Sequence, residues 1–296
     1  MAANTVGVVG LGLVGTALAQ RLTAAGFQVT GFDLREEARA ALTARGGSAA
    51  GSLAEAASAA SCMVLAVFNT DDVLKVVEGP GGLLSVFGVR SIIDCSTGTP
   101  HKLEALAARL AARGIIFIEA PLSGSSQQIA TGEATLLLGG ETGALQACEP
   151  VLAAISGKRI HVGGAGMGAK AKLATNLVLG LNRAALAEGM VFAENMGIPP
   201  EQFLALVLAS PATSGAAQAK GRMMVEGDFA PQSRIHQHLK DVKLMIDSAA
   251  AEGQKLPLSE AHAELMRAAI AAGDGELDNA AIIRELRRQK NARPSN

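Results

Sequence analysis

The chain contains no tryptophan and no tyrosine in 296 residues. An aromatic platform for stacking nucleobases is therefore missing, and so is a tyrosine general acid. Cysteine is scarce: Cys62, Cys95 and Cys148 are odd in number and lack C-x-x-C spacing. This argues against a disulfide framework or a thiolate zinc site and leaves three thiols that behave as small hydrophobes. An excess of one charge is also lacking, because 26 Lys and Arg stand against 27 Asp and Glu. No long-range field gathers a polyanion, so nucleic acid is not an expected partner. No uncharged apolar run reaches the ~18 residues of a membrane span. The opening MAANTVGVVGLGLVGTALAQ lacks the basic start of a secretory signal, so a cytoplasmic protein that keeps its N-terminus is expected.

What is present is apolar residue, 49% of the chain, enough for two domain cores. Short apolar runs at 5–9, 28–33, 62–68, 91–94, 115–119 and 135–139 predict strands, with helical stretches such as 14–25 and 103–113 among them. That alternation predicts an α/β fold with a parallel, doubly wound sheet. After VGGAGMGA the pattern changes to helical spacing until Gly197, Pro199 and Pro200 impose a stop. One helix over 169–196 would run about 42 Å at ~1.5 Å per residue. Helical periodicity continues at 200–208, 239–252 and 259–272, without strand alternation after residue 165. The expected division is therefore a dinucleotide-binding domain over 1–164 and an all-α domain over 165–296, joined by the long helix. The basic stretch 284–296 reads as a frayed end.

Gly10, Gly12 and Gly15 spell G-x-G-x-x-G directly after the first strand and at the opening of a helix, the context in which this pattern binds dinucleotides. The segment Gly10, Leu11, Gly12, Leu13, Val14, Gly15 is the candidate pyrophosphate cradle: a tight turn, an open approach and a close helix–strand contact in order. Asp33 follows at the end of the second strand, where a carboxylate accepts hydrogen bonds from the adenosine ribose and repels a 2′-phosphate. This favours NAD over NADP, with Arg35 close enough to soften the preference. A capping role for Asp33 is the alternative.

GLGLVG at 10–15 is followed by DCSTGTP at 94–100, APLSGSSQQIATGEATLLLGG at 120–140, GMGAKAKLATN at 166–176 and HQHLKD at 236–241. In this order the blocks resemble those of the β-hydroxyacid dehydrogenase family, which includes enzymes of the 3-hydroxyisobutyrate dehydrogenase and tartronate semialdehyde reductase type. The resemblance spans nearly the whole chain. It implies an N-terminal Rossmann-type domain, a helical C-terminal domain and NAD-dependent chemistry on a small carboxylate-bearing substrate.

By that resemblance, Ser96 and Thr97 face the cofactor, although an ST-turn ahead of the next helix explains the same residues. Ser123, Gly124 and Ser125 form the loop assigned to the substrate carboxylate. Ser125 departs from the family's second glycine there. Lys172, four residues after Gly168, matches the family's catalytic lysine and is preferred to Lys170. Asn176, one turn on, shares its helix face and would orient the substrate oxygen; Thr175 stands where relatives often carry a first asparagine. Lys240, with Asp241, matches a late Lys-Asp pair that reaches the cofactor, whereas alone it would read as a solvated ion pair. His236 and His238 lie two apart, not on one helical face, and no cluster completes a metal site.

The implied reaction is hydride transfer at the hydroxyl carbon of a small 3-hydroxy acid or its semialdehyde, with Lys172 as general acid/base. Burial beside a cationic nicotinamide and a helix N-terminus are expected to lower the lysine pKa. Competing readings are an imine or ketone reductase of the same fold, a decarboxylating enzyme of the phosphogluconate type, and a non-catalytic dinucleotide-sensing module. Lys172 argues against the first and third, and chain length against the second. The long helix and Ala-rich second domain favour a homodimer or homotetramer.

Overall fold

The computed structural model describes residues 4–291, with side chains described to Gln289. Two compact units divide at Lys172/Leu173, eight residues beyond the expected boundary and inside the long helix.

The first unit is built on a nine-stranded sheet: β1 Thr5–Val9, β2 Gln28–Phe32, β3 Ser48–Ala49, β4 Cys62–Leu65, β5 Ser91–Asp94, β6 Ile116–Glu119, β7 Leu122–Ser123, β8 Thr135–Gly139 and β9 Arg159–Gly163. The strands run in the order β3-β2-β1-β4-β5-β6-β8-β7, with β9 paired to β8. The first six are mutually parallel, and the order reverses beside β1, where doubly wound sheets open their ligand crevice at the strands' carboxyl ends. Apolar side chains alternate between two buried clusters. Val8, Val64, Ile93 and Ile118 join one, whereas Val9, Leu65, Ile92 and Phe117 join the other. A sheet covered on both faces reads as continuous apolar runs, which is how these strands appear in the sequence.

The parallel, doubly wound sheet expected from the sequence is present over β1 to β6, and an antiparallel addition lies beyond it. β8 runs antiparallel to both β6 and β7, because the Ser126–Thr131 helix ends at Gly132 in a left-handed conformation, φ 76°, and turns the chain straight back. Edge strands β3, β7 and β9 were not anticipated. The first two span only two residues each, and β9, Arg-Ile-His-Val-Gly, has no fully buried residue.

The second unit carries most of the 29-residue helix Met167–Asn195 and the helices Pro200–Leu208, Gly215–Glu226, Ile235–Ala251, Pro257–Ala271 and Ile282–Asn291. Leu173, Ala187, Met190, Ile235, Val242, Met266 and Ile283 are among its core residues. The expected frayed end is overturned up to Asn291. Residues Ile282–Asn291 are helical, Arg284 and Arg288 reach Asp274 at 3.0 and 2.8 Å, and Arg287 pairs with Glu194. Buried apolar residues Ile282 and Ile283 hold its first turn; residues 292–296 lie outside the described chain. No helix among the described residues is long and apolar enough to cross a membrane.

Candidate functional site

The turn after β1 has the geometry that its glycines require. Gly10 has φ 87°, and a Cβ there would stand 2.4 Å from the Ala66 carbonyl oxygen. A Cβ on Gly15 would lie 1.7 Å from the carbonyl oxygen of Gly10, so only glycine lets helix Leu13–Ala24 approach the turn this closely. Gly12 differs: nothing lies within 4 Å of its added Cβ. The helix beginning at Leu13 has no side-chain cap and no acidic residue in its first turn, which leaves amide donors and the positive end of the helix dipole for an anion. The open face at Gly12 together with uncapped amides fits a dinucleotide pyrophosphate. Leu11 is buried, Leu13 and Val14 are half-buried, and Val14 packs against the sheet cluster.

Asp33, just past β2, accepts hydrogen bonds from the amide of Leu11 at 2.7 Å and the amide of Arg35 at 2.9 Å. The Arg35 side chain donates to it as well, at 3.2 Å. Burial pushes the carboxyl pKa up, but these hydrogen bonds and the Arg35 charge outweigh it and hold Asp33 below the ordinary value. Asp33 is therefore an ionised acceptor at the fingerprint turn, and the 62% exposed Arg35 lies against it.

The loops after β4 and β5 are tied together. The amide of Val67 donates to Ser96 Oγ at 3.0 Å, the Ser96 amide donates to Asp94 Oδ1 at 2.9 Å, and the Thr99 amide donates to Thr70 Oγ1 at 2.7 Å. Ser96 is buried and shapes this loop, whereas Thr97 is half-buried.

Lys172 is 8% exposed, and its ammonium donates to the carbonyl oxygen of Leu122 at 2.5 Å. The lysine thereby sits against the backbone of the loop that continues into Ser123 and Gly124. Lys170, two residues earlier, is exposed. Gly124 has φ 155°, and a Cβ there would meet Ala134 Cβ at 2.8 Å. Ser125 caps the next helix: its Oγ accepts from the Gln128 amide, and its own amide donates to Gln128 Oε1 at 2.9 Å. A serine in place of glycine here has a local structural use, a capping box.

Within the second unit, Asn176 is 7% exposed and its side-chain amide donates to Asp241 Oδ2 at 3.4 Å. The other oxygen of Asp241 lies 2.9 Å from Lys240 Nζ, so one carboxylate joins both sequence-selected residues. His236 is exposed and reaches Glu276 at 3.2 Å. Among the described residues no group of three or more His, Cys, Asp or Glu is arranged to hold a metal.

Residues 5–164 match the family described as the NAD binding domain of 6-phosphogluconate dehydrogenase, and residues 166–286 match NAD-binding of NADP-dependent 3-hydroxyisobutyrate dehydrogenase. The L-threonate dehydrogenase of Cupriavidus necator is 33% identical over 95% of both chains. The 2-(hydroxymethyl)glutarate dehydrogenase of Eubacterium barkeri is 31% identical over 94% of this chain and 93% of its own. The chain belongs to the 3-hydroxyisobutyrate dehydrogenase-like family of β-hydroxyacid dehydrogenases. A crystal structure of 3-hydroxyisobutyrate dehydrogenase from Salmonella typhimurium superposes with a TM-score of 0.85 at 30% identity, covering 95% of this chain and 99% of that one. The fold, the nicotinamide-dinucleotide binding domains and the hydroxyacid dehydrogenase class follow from this membership.

One residue of this family member escaped the sequence reading. Glu119, at the end of β6, is 1% exposed. Its Oε1 accepts from the Ala169 amide at 3.1 Å and its Oε2 from the Gly166 amide. The only signal in the sequence was an acid closing an apolar strand directly before Ala-Pro. The thiols of Cys95 and Cys148 are buried and that of Cys62 half-buried, all three free; burial pushes Cys62 up to about 11, which leaves it unreactive near neutrality.

Proposed function

We propose that the chain is an NAD-dependent dehydrogenase of small 3-hydroxy acids, or equally a reductase of their semialdehydes, with Lys172 as general acid/base. The observation that carries this reading is the burial of Lys172 with its ammonium on the Leu122 carbonyl, one residue before the Ser123–Gly124 loop. When bound, the nicotinamide takes or supplies the hydride. In oxidation, the neutral Lys172 amine takes the substrate hydroxyl proton as the C–H bond breaks and the carbonyl forms; in reduction its ammonium returns that proton to the oxygen. Ser123, Gly124 and Ser125 hold the substrate carboxylate with hydroxyls and amides. Asn176, held by Asp241, orients the reacting oxygen, and Lys240 contacts the cofactor. Gly10 to Gly15 receive the pyrophosphate, Ser96 and Thr97 line the nicotinamide ribose, and Asp33 selects NAD over NADP.

In this reading residues 1–164 bind the dinucleotide and 165–296 serve the substrate and self-association, as a cytoplasmic homodimer or homotetramer. Val178 and Phe192, 57% and 62% exposed on the long helix, support the association, and light scattering that returns a monomer at working concentration sinks it. The chemistry is tested by NADH absorbance with wild type and Lys172→Ala against 3-hydroxyisobutyrate, L-threonate, 2-(hydroxymethyl)glutarate and sulfonated aldehydes, with NADP(H) in parallel. Turnover with NAD(H) that falls at least about 10²-fold in the variant while NADH still binds is the expected result. Unchanged turnover in the variant refutes the lysine assignment, and a preference for NADPH refutes that of Asp33.

A further inference from the structure

We infer that Glu119 is a positioning residue for Lys172, its carboxylate clamping the first turn of the Met167–Asn195 helix so that the lysine is held against the Leu122 carbonyl. The inference rests on the proposed acid/base role of that lysine. Two oxygens of one carboxylate take two amides, Gly166 and Ala169, from a helix start that otherwise leaves donors without intrahelical partners. The contact is possible only without side chains nearby. A Cβ on Gly168 would stand 2.8 Å from Glu119 Cβ, and one on Gly139 would stand 2.5 Å from the Gly168 amide nitrogen and 2.7 Å from Glu119 Oε2. Lys172 lies one turn beyond Ala169, and its anchor Leu122 lies three residues beyond Glu119. Strand end and helix start are thus fastened twice, once by the carboxylate and once by the lysine itself.

The clamp depends on charge state. A carboxylate presents two charged acceptors, whereas protonation places a hydrogen on one oxygen and leaves it a poorer, uncharged acceptor, so the clamp on the two amides weakens. Burial pushes Glu119 up, against the pull of the Ala169 and Gly166 amides, and the charge of Asp94 on neighbouring β5 adds to the push, to about 7. Charged and titratable groups around the turn include Glu104, whose Oε2 would lie 3.4 Å from a Cβ on Gly166, Glu141, whose Oε1 would lie 3.6 Å from a Cβ on Gly164, His161, whose ring reaches the Gly140 and Gly163 carbonyls, exposed Lys170 and buried Lys172. Above pH 7 the ionised clamp holds; below it, protonation loosens the turn that carries the lysine. In the reductive direction the lysine must be protonated, so its own titration removes activity at high pH. A low-pH limb belongs to a different group.

Glu119→Gln imitates the protonated carboxyl at constant size, with one acceptor and one amide. Three readouts are made on the full chain. Lysine acylation by acetic anhydride at pH 8, quantified by mass spectrometry as the Lys172/Lys170 ratio, is expected to rise at least about threefold in the variant because the ammonium is no longer held. For reduction, kcat is expected to fall at least about fivefold while NADH affinity stays within about twofold. The low-pH limb near 7 is expected to vanish and the high-pH limb to remain. An unchanged acylation ratio, or a wild-type low-pH limb in the variant, overturns the inference. Failure of the acid/base reading is seen separately, as turnover that survives Lys172→Ala, because the acylation ratio reports the clamp without any turnover.

Discussion

Gly12 and Gly15 stand three residues apart in one turn, yet a methyl group added to each meets different surroundings. At Gly15 it would lie 1.7 Å from the Gly10 carbonyl oxygen, backbone that cannot swing aside. At Gly12 no protein atom lies within 4 Å. The G-x-G-x-x-G reading assigns the two different work, an open approach at Gly12 and a close helix–strand contact at Gly15, and packing demands a glycine at Gly15 but not at Gly12. Gly15→Ala is expected to lower stability by about 1–3 kcal/mol, the cost of overpacking, and to weaken NADH binding with it. Gly12→Ala should leave stability within about 0.5 kcal/mol while NADH affinity falls at least about tenfold. Denaturant titration and NADH fluorescence titration read the two effects independently, and equal destabilisation by both substitutions contradicts this division of labour. The same scale shows what spacing can and cannot supply. Lys172 was preferred to Lys170 by the resemblance to the family, which places its lysine four residues after Gly168; in the structure the first is buried and the second exposed. Glu119 was not legible, because its meaning lies in amides 47 and 50 residues away.

At the scale of elements, legibility followed how much local chemistry each segment carries. Strands β1, β5 and β8 match the expected bounds, since runs of Val, Ile and Leu closed by Gly or Asp leave little choice. Helix Pro200–Leu208 matches as well, with Pro at its start fixing the first turn. Two-residue strands β3 and β7 have no pattern of their own and exist because a neighbour offers hydrogen-bonding groups. Helix Gly215–Glu226 was overlooked because Gly215, Gly221 and scattered polar residues blur its periodicity. Its Ser214 cap, bonded to the Ala217 amide at 3.1 Å, was the available signal. The C-terminal helix was misread for the opposite reason: a run of basic residues looks solvated until Asp274 and Glu194 come within reach from elsewhere in the chain. Long-range charge partners are invisible to a local window.

At the scale of the whole molecule, a near-neutral chain places some of its charge inside. The second unit closes around Asp278, fully buried, whose Oδ2 receives Lys220 Nζ at 2.9 Å, the Gln232 amide at 2.9 Å and the Ser233 amide at 3.1 Å. Its Oδ1 takes the Ala280 amide at 3.0 Å. One carboxylate thus joins helix Gly215–Glu226, the lead-in to helix Ile235–Ala251 and the start of the C-terminal helix. Arg183, buried on the long helix, has its pKa lowered to about 10 by desolvation, with the Asp278 charge pulling it back up. Arg183 stays protonated at neutral pH, and burial lowers the Lys220 pKa against the opposing pull of the Asp278 charge and hydrogen bond. Asp278→Ala removes the counter-charge and leaves two buried cations and several amides uncompensated, a loss of about 3–5 kcal/mol. Hydrogen exchange is expected to accelerate over 215–226 and 282–289, while β1, β4 and β5 of the first unit keep their protection. Converting the pair together, Asp278→Leu with Lys220→Met, should recover part of the loss, since an apolar pair of similar volume needs no counter-ion. Unaltered exchange in the single variant would mean that shape alone, and not the buried charge, holds the helical unit together.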